Sequence, residues 1–276
     1  MKKVVLSVLT ALAVSTAVPA FAADMPVKAY KAPVPVESPW DIAFGAAFTT
    51  DYILRGISQT DHRPGVSAYA ELDYKIAPFL TLYANLTGYN VAFATGEFDI
   101  SGGGRFSYNI FGLDVGYVYY AYPSPSIVAY PLGNSISYGE FYAKPSVKIL
   151  PWLTVGGALI GGSDWGNTSN SAWYYEGNVA VVLPWTLPMG ITSTISGAVG
   201  RQTYAAAIGN TDYTVWNAGV AFNYKAMTLD LRYWDTNIGS AGQPGQCSSA
   251  TAPSIDLCKE AFVATLKFDT TFSSLK

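Results

Sequence analysis

From Trp40 onward the chain consists of runs of about ten residues in which apolar and polar side chains alternate. In the first run, Trp40, Ile42, Phe44, Ala46 and Phe48 share one face, and polar or small residues occupy the other. A strand of about this length crosses a lipid bilayer when it is tilted. The alternation therefore fits a soluble sandwich, in which the apolar face is the core, or a membrane barrel, in which that face contacts lipid.

About twelve such runs follow one another, the number expected of a mid-sized barrel. The predicted strands are Trp40–Ile53, Gly65–Tyr74, Leu80–Asn90, Phe98–Ile110, Leu113–Ala121, Tyr138–Ile149, Leu153–Gly161, Ala172–Leu183, Ile191–Arg201, Thr214–Tyr224, Met227–Asp235 and Glu260–Phe272. Short connections alternate with longer ones, which is typical of bacterial outer-membrane barrels and has no reason in a sandwich. We therefore predict an all-β fold over residues 40–276, a transmembrane antiparallel up-and-down β-barrel of about 12 strands.

Composition favours the barrel over the sandwich. Only 13% of the residues are charged, against roughly 25% in ordinary soluble domains. Half of the residues are hydrophobic, yet beyond the first 22 residues no apolar run approaches the roughly 18 residues of a membrane helix. Aromatic residues fall near predicted strand ends, as interfacial girdles require. Near the short turns these are Trp40, Phe79, Trp152, Trp185 and Phe272, and near the long loops Tyr119, Trp173, Trp216 and Tyr233.

The N-terminus predicts export. Residues 1–22 combine a basic start, a short apolar run and a small-residue cleavage site ending at Ala22, the features of a secretory signal peptide. Residues 23–39 are rich in proline and predict an extended periplasmic leader. We expect a protein of the bacterial outer membrane with periplasmic termini. Its expected partners are outer-membrane lipids, lipopolysaccharide and the barrel-assembly machinery, and its net charge of −3 argues against nucleic acid.

The two cysteines predict a disulfide. Cys247 and Cys258 lie in one polar stretch rich in glycine, proline and serine, and an exported chain favours their oxidation. A metal site there lacks further ligands, because the only histidine, His62, is far away in the sequence. We expect no metal and no cofactor.

Alternation also predicts which charged side chains face the lumen. The predicted pore-lining residues are Asp51, Arg55, Glu71, Arg105, Glu140, Lys144, Glu176, Asp230, Arg232 and Lys267. They could form a constriction that sets ion and solute preference, or an ion-pair network that only neutralises a small lumen. An excess of inward carboxylates favours cations. Asp51 and Arg55, four residues apart near the external end of the first predicted strand, are expected on one face, where pairing across the rim is plausible.

Several motifs resemble one family. The segment Asp51-Tyr-Ile-Leu-Arg-Gly-Ile-Ser-Gln-Thr60, followed by Pro64, resembles the first-hairpin motif of the TorF family of porins. Three further blocks agree in order: Leu113-Asp-Val-Gly-Tyr-Val-Tyr-Tyr, Tyr138-Gly-Glu-Phe-Tyr and Thr228-Leu-Asp-Leu-Arg-Tyr-Trp-Asp-Thr. The resemblance spans roughly the whole exported chain. It implies an outer-membrane barrel of porin type without an established substrate.

Three functions follow from these patterns. The first is a narrow passive channel for small polar solutes or ions. The second is a non-conducting structural or adhesive barrel whose external loops carry the function. The third, an outer-membrane lipid-modifying enzyme, needs a histidine next to a nucleophile. His62 is expected to be a solvated loop side chain with Ser58 and Asp61 nearby, so we predict that the protein is not an enzyme.

Overall fold

A computed structural model describes residues 38–125, 135–238 and 246–275. The predicted signal peptide and most of the predicted leader lie outside these ranges. Within them, no helix has the length and apolar character needed to cross a membrane.

Twelve antiparallel strands close into a barrel, and a separate two-stranded hairpin follows the first of them. The strands are β1 (Trp40–Thr49), β2 (Ile53–Leu54), β3 (Ile57–Ser58), β4 (Gly65–Ala77), β5 (Leu80–Tyr89), β6 (Glu97–Tyr108), β7 (Phe111–Ala121), β8 (Tyr138–Leu150), β9 (Leu153–Gly162), β10 (Ala172–Leu187), β11 (Ile191–Tyr204), β12 (Tyr213–Tyr224), β13 (Met227–Thr236) and β14 (Ala261–Thr271). Each barrel strand pairs with its neighbour in the chain, and β1 closes the barrel against β14. The small hairpin consists of β2 and β3.

The prediction of a twelve-stranded antiparallel barrel is confirmed, and several strand bounds differ from the predicted ones. The first strand ends at Thr49 and not at Ile53, because the chain bends there into the β2–β3 hairpin. Strand β10 runs on through Pro184 to Leu187, and its register against β11 shifts in this region. A bulge accommodates a proline that cannot donate to the ladder. Strand β11 continues to Tyr204, beyond the predicted end.

The strands separate apolar and charged side chains. Large apolar side chains lie on the outer surface, for example Phe48, which is 51% exposed, and Ile100, which is 54% exposed. Residues of opposite parity face inward, and several of these are charged yet buried, such as Glu71 and Glu140. This is the reverse of a soluble globule and matches a barrel whose wall contacts lipid.

The two ends of the barrel differ. We call the end with the longer connections the loop end, and the end with the short turns the turn end. The interior contains a cluster of buried side chains that includes Tyr83, Val118, Tyr120 and Tyr142 and extends to the loop end through Tyr122 and Ile136. A second cluster packs Tyr174, Tyr213 and Val215 against the two cysteines. The loop end of the lumen is therefore partly filled by protein.

Candidate functional site in the barrel lumen

Residues 50–64, which we call the mouth segment, follow β1 and turn into the barrel. The turn is made at Arg55 and Gly56, which have positive φ values of 50° and 83°. A Cβ atom on Gly56 would lie 2.5 Å from the side chain of Thr236 and 2.6 Å from that of Val215. Glycine is thus required by both the backbone conformation and the close approach. The mouth segment is not the external loop that alternation alone predicts.

Arg55 at the tip of the mouth segment reaches across the lumen. Its guanidinium donates from both terminal nitrogens to the two carboxylate oxygens of Glu140 on β8. It also donates to Oε1 of Gln202 on β11 at 3.1 Å. These strands lie five and four positions away from β1 around the closed sheet. Arg55 therefore connects the segment after β1 to distant parts of the wall.

The surroundings of Arg55 favour its charged form. The guanidinium lies 5.1 Å from the ring centre of Tyr174, and the Tyr213 hydroxyl donates to the Arg55 carbonyl at 2.9 Å. Burial opposes the positive charge, but the Glu140 carboxylate outweighs burial and raises the pKa of Arg55 well above its usual value. Side-chain exposure is 10% for Arg55 and 1% for Glu140. This is a buried, bidentate ion pair.

His62 corrects two expectations. Its Nδ1 atom lies 2.7 Å from Oδ2 of Asp51, and its Nε2 atom lies 2.7 Å from the carbonyl oxygen of Asp256. The side chain is only 16% exposed, so the expected solvated loop histidine is wrong. The expected pairing of Asp51 with Arg55 is also wrong. The Asp51 carboxylate contacts His62, whereas the Arg55 guanidinium binds Glu140.

The same contacts bear on the enzyme alternative. Ser58 Oγ donates to Oδ1 of Asp51 at 2.7 Å, so the hydroxyl is directed to the carboxylate and not to the imidazole ring. Both ring nitrogens of His62 already face oxygen atoms. A serine nucleophile needs a free ring nitrogen of the base within hydrogen-bond distance. These three residues do not have that arrangement.

Residues 246–260, which we call the disulfide segment, interlock with the mouth segment. The predicted bond between Cys247 and Cys258 is confirmed. The Ser58 amide donates to the Leu257 carbonyl at 2.9 Å, and Thr251 Oγ1 donates to Oδ2 of Asp61 at 2.7 Å. Two connections far apart in the sequence thus cover the loop end of the lumen together.

A second arginine network lies closer to the turn end. Arg105 on β6 donates to both oxygens of Glu71 on β4, at 2.7 and 2.8 Å, and to Oδ1 of Asp73 at 3.2 Å. Asp114 on β7 is 3.7 Å away, and the guanidinium lies 3.8 Å from the ring centre of Tyr83. All of these partners belong to one patch of wall between β4 and β7.

A third network lies on the opposite wall. Arg232 donates to the carboxylate of Asp230 on its own strand, to Asn217 Oδ1 at 2.6 Å and to Ser196 Oγ at 2.8 Å. These partners lie on β11, β12 and β13. The network therefore neutralises a carboxylate without crossing the lumen.

The remaining predicted pore-lining residues lie outside these networks. Glu176 accepts hydrogen bonds from the Tyr174 hydroxyl at 2.8 Å and from the Asn178 amide at 3.0 Å. Lys144 lies with its Nζ atom 4.6 Å from the ring centre of Tyr142. Lys267 on β14 is exposed. The ten predicted residues thus lie in separate places, and no single ring of charges brings them together in the described residues.

Several residues of the lumen carry no signal in the sequence. Arg55 is held by Gln202, Tyr174 and Tyr213. The sequence predicts only that these side chains face the lumen, as it does for every second residue of a strand. Glu97 lies outside the predicted strand Phe98–Ile110 but begins β6, where it is fully buried and accepts a hydrogen bond from the Tyr52 hydroxyl at 2.8 Å. A carboxylate one residue after a glycine gives no indication that it lies inside a barrel.

Comparison with solved structures gives several outer-membrane proteins at low sequence identity. The KdgM porin superposes with a TM-score of 0.48 at 8% identity, covering 82% of this chain and 98% of its own. The COG4313 outer membrane channel from Pseudomonas putida F1 has a TM-score of 0.44 at 12% identity, covering 90% and 100%. LpxR from Salmonella typhimurium has a TM-score of 0.42 at 9% identity, covering 82% and 99%.

No curated protein sequence matches the chain. The model of a family described as a bacterial protein of unknown function, Gcw_chp, matches residues 34–268. This match leaves the TorF resemblance of the sequence motifs unconfirmed. The matched range contains all of the barrel strands apart from the last three residues of β14. The chain belongs to the Gcw_chp family.

Proposed function

We propose that the protein is an outer-membrane channel whose narrow, ion-paired lumen admits small cations and neutral polar solutes more readily than anions. Transport is passive, down a gradient, and needs no cofactor. The observation that carries the proposal is the sorting of side chains in the described barrel: large apolar groups outside, charged groups inside. Charged side chains that line a small lumen act directly on ions passing through it.

The balance of inward charges supports the preference for cations. Inward carboxylates outnumber inward basic groups on the described strands. The carboxylates are Asp41, Glu71, Asp73, Glu97, Asp99, Asp114, Glu140, Glu176, Asp230 and Asp269, and the basic groups are Lys75, Arg105, Lys144, Lys148, Arg232 and Lys267, joined by Arg55 of the mouth segment. A water-filled passage with this excess lowers the energy of a cation relative to an anion.

The mouth segment supports a narrow passage. A barrel of about eight strands is filled by its own side chains, and one of 16–18 strands leaves an aqueous channel, so twelve strands leave limited space. Arg55 and its partners occupy part of that space at the loop end. We infer that the mouth segment sets the conductance and that the charges nearer the turn end set the selectivity.

Ion selectivity in a planar bilayer tests the proposal. The purified exported chain is added to one side of a membrane that separates concentrated from dilute KCl, and the reversal potential is recorded. Channel steps with a reversal potential on the cation side support the proposal. Anion selectivity contradicts the assigned preference, and absence of steps at high protein concentration contradicts the channel itself.

The second candidate is a non-conducting barrel that presents its external segments to a partner. The interlock between the mouth segment and the disulfide segment favours it, because hydrogen bonds and a covalent bond together cover the loop end. This candidate predicts that wild-type protein and variants with a loosened mouth segment are equally silent in bilayers. A channel predicts that loosening increases the current.

The proposal places both termini and the turn end in the periplasm and the loop end outside the cell. The apolar outer surface then contacts outer-membrane lipids and lipopolysaccharide, and insertion depends on the barrel-assembly machinery. An epitope inserted at Gly209, in the exposed β11–β12 connection, is expected to be accessible to antibody on intact cells. Labelling only after the outer membrane is permeabilised contradicts this orientation.

A further inference from the structure

His62 joins the two segments that cover the loop end of the lumen. Its Nδ1 atom contacts Oδ2 of Asp51 in the mouth segment, and its Nε2 atom contacts the carbonyl oxygen of Asp256 in the disulfide segment, each at 2.7 Å. The backbone around the ring is unusual, because Asp61 and His62 have positive φ values of 56° and 55°. The backbone amide of His62 donates to Ser58 Oγ at 2.9 Å and fixes this turn. The imidazole ring is therefore held in one place by contacts on both sides.

Both neighbours of the ring are hydrogen-bond acceptors. A carbonyl oxygen carries no proton, and the other oxygen of the Asp51 carboxylate already accepts from the hydroxyl groups of Ser58 and Thr60, at 2.7 and 2.9 Å. A neutral imidazole has one N–H group and one lone pair, so it would direct the lone pair at one of its two oxygen neighbours. Only the imidazolium form, with a proton on each ring nitrogen, donates to both. The arrangement therefore favours a protonated His62.

The other charged groups around His62 have partners of their own or are exposed. The Asp61 carboxylate accepts a hydrogen bond from a threonine hydroxyl of the disulfide segment, and the Asp256 carboxylate accepts one from a backbone amide of that segment. The Arg63 side chain is exposed. Aspartates change charge in more acidic solution and arginine stays charged, whereas histidine changes charge between about pH 5 and pH 8. Among these described groups, His62 is the one that responds in that range.

We propose that His62 is a pH-sensitive latch, which fastens the mouth segment to the disulfide segment when its ring is protonated. Loss of one ring proton leaves a single N–H group. The hydrogen bond to the carboxylate is the stronger of the two because its acceptor is charged, so the remaining proton stays on the side of Asp51. The lone pair then faces the carbonyl oxygen of Asp256, and the contact between the two segments is lost.

The pH dependence of the latch has a definite sign. The protonated ring makes both contacts, so the latch stabilises the closed arrangement in full at acidic pH and weakens as the pH rises through the range in which histidine loses its proton. Another link between the segments, the hydrogen bond from the Ser58 amide to the Leu257 carbonyl, contains no titratable group. The bidentate pair of Arg55 with Glu140 still holds the tip of the mouth segment. We therefore expect local opening around His62 and not release of the whole mouth segment.

Nuclear magnetic resonance and hydrogen exchange test the latch on the folded, exported chain in detergent. The chain has one histidine, so with a purification tag free of histidine the labelled ring nitrogens give one set of signals. These signals report the protonation of the ring from about pH 5 to about pH 9. Amide exchange, corrected for its intrinsic dependence on pH, reports the opening of residues 58–64 and, as a control region, of the strand around Arg105. The control variants are His62→Gln and His62→Arg, whose side chains do not titrate in this range.

At acidic pH we expect a proton on both ring nitrogens and a protected mouth segment. Loss of one ring proton should accompany exchange that is roughly tenfold or more faster in residues 58–64, with no change around Arg105. This step should be absent from both variants, and the wild-type titration decides if a variant does not fold. A neutral ring with the mouth segment as protected as at acidic pH, a ring that keeps both protons throughout, or a step that persists in the variants overturns the proposal. The readout does not depend on conduction, so its failure is distinguishable from failure of the proposed channel.

Discussion

Arg55 and Arg105 make the same kind of contact and serve the fold differently. Each donates two hydrogen bonds to a buried glutamate and lies beside a tyrosine ring. Arg105 is a strand residue whose acidic partners lie on β4 and β7, at most two strand positions away from its own strand β6. Arg55 is on a connection, and its acid lies 85 residues away on the far side of the barrel.

The difference separates two uses of an ion pair in a lumen. The Arg105 network neutralises charges on one wall and leaves water access to its members, which are 13–19% exposed except for Glu71. The Arg55 pair holds a chain segment across the opening and leaves Glu140 only 1% exposed. We expect substitutions of Arg55 to change the width of the passage and substitutions of Arg105 to change its charge.

The largest effect is expected from Arg55→Ala. It leaves Glu140 buried without its cation, which costs about 3–5 kcal/mol and favours release of the mouth segment. Limited proteolysis should then cleave within residues 50–64, where the wild-type protein resists. The double variant Arg55→Ala/Glu140→Ala is the control, because it removes the stranded charge. A mouth segment as resistant as in the wild type would show that Arg55 does not hold it.

Loss of the disulfide should have the next largest effect. The bond closes a loop between residues 11 apart in the sequence, and its removal should cost about 3 kcal/mol by the chain-entropy model. The disulfide segment then releases Ser58 and His62. In the variant Cys247→Ala/Cys258→Ala we expect amide hydrogens of the mouth segment to exchange faster than in the wild type. Exchange around Arg105 should be unchanged. Uniform exchange across both regions would remove the distinction between them.

Arg105→Ala should lower the free energy of unfolding by less, about 2 kcal/mol, which is the usual contribution of hydrogen bonds to a charged group. Glu71 keeps a hydrogen bond from Asn85, and lumen water can reach Asp73 and Asp114. The expected functional change is a reversal potential further to the cation side, with little change in step size. Arg105→Lys, which keeps the charge, is the control. A change in step size without a change in reversal potential would contradict the assignment of selectivity to the Arg105 network.

The smallest effect is expected from Arg201→Ala. Its pair with Asp212 spans 3.7 Å, and both side chains are 40% or more exposed. Exposed pairs contribute about 0–1 kcal/mol, so unfolding, proteolysis and selectivity should match the wild type. A large loss of stability would indicate that exposed charge at the loop end matters as much as the buried pair.

The fold could be predicted from the sequence because its signals are local. Alternation assigns each strand a lipid face and a lumen face, and turn residues separate the strands. The disulfide also follows from two neighbouring cysteines in an exported chain. The bulge at Pro184 was missed, since a proline within an alternating run reads as a strand end.

The site could be predicted only in part. Alternation predicts that Glu140 and Arg105 face inward, and it cannot give the partner of either. The inward turn of the mouth segment depends on positive φ at Arg55 and on the space that Gly56 leaves beside Val215. Those contacts join residues far apart in the sequence, so no local pattern contains them. For the same reason the strand predicted to begin at Phe98 leaves out Glu97, whose buried contact with Tyr52 joins distant parts of the chain.

Single-channel conductance of the wild-type protein beside Arg55→Ala, in the same bilayer and salt, tests the central claim most directly. A lumen held narrow by the mouth segment predicts small steps for the wild type and steps several-fold larger for the variant, with similar selectivity. Silence from both proteins, once each is shown to be folded and inserted, would contradict a conducting lumen.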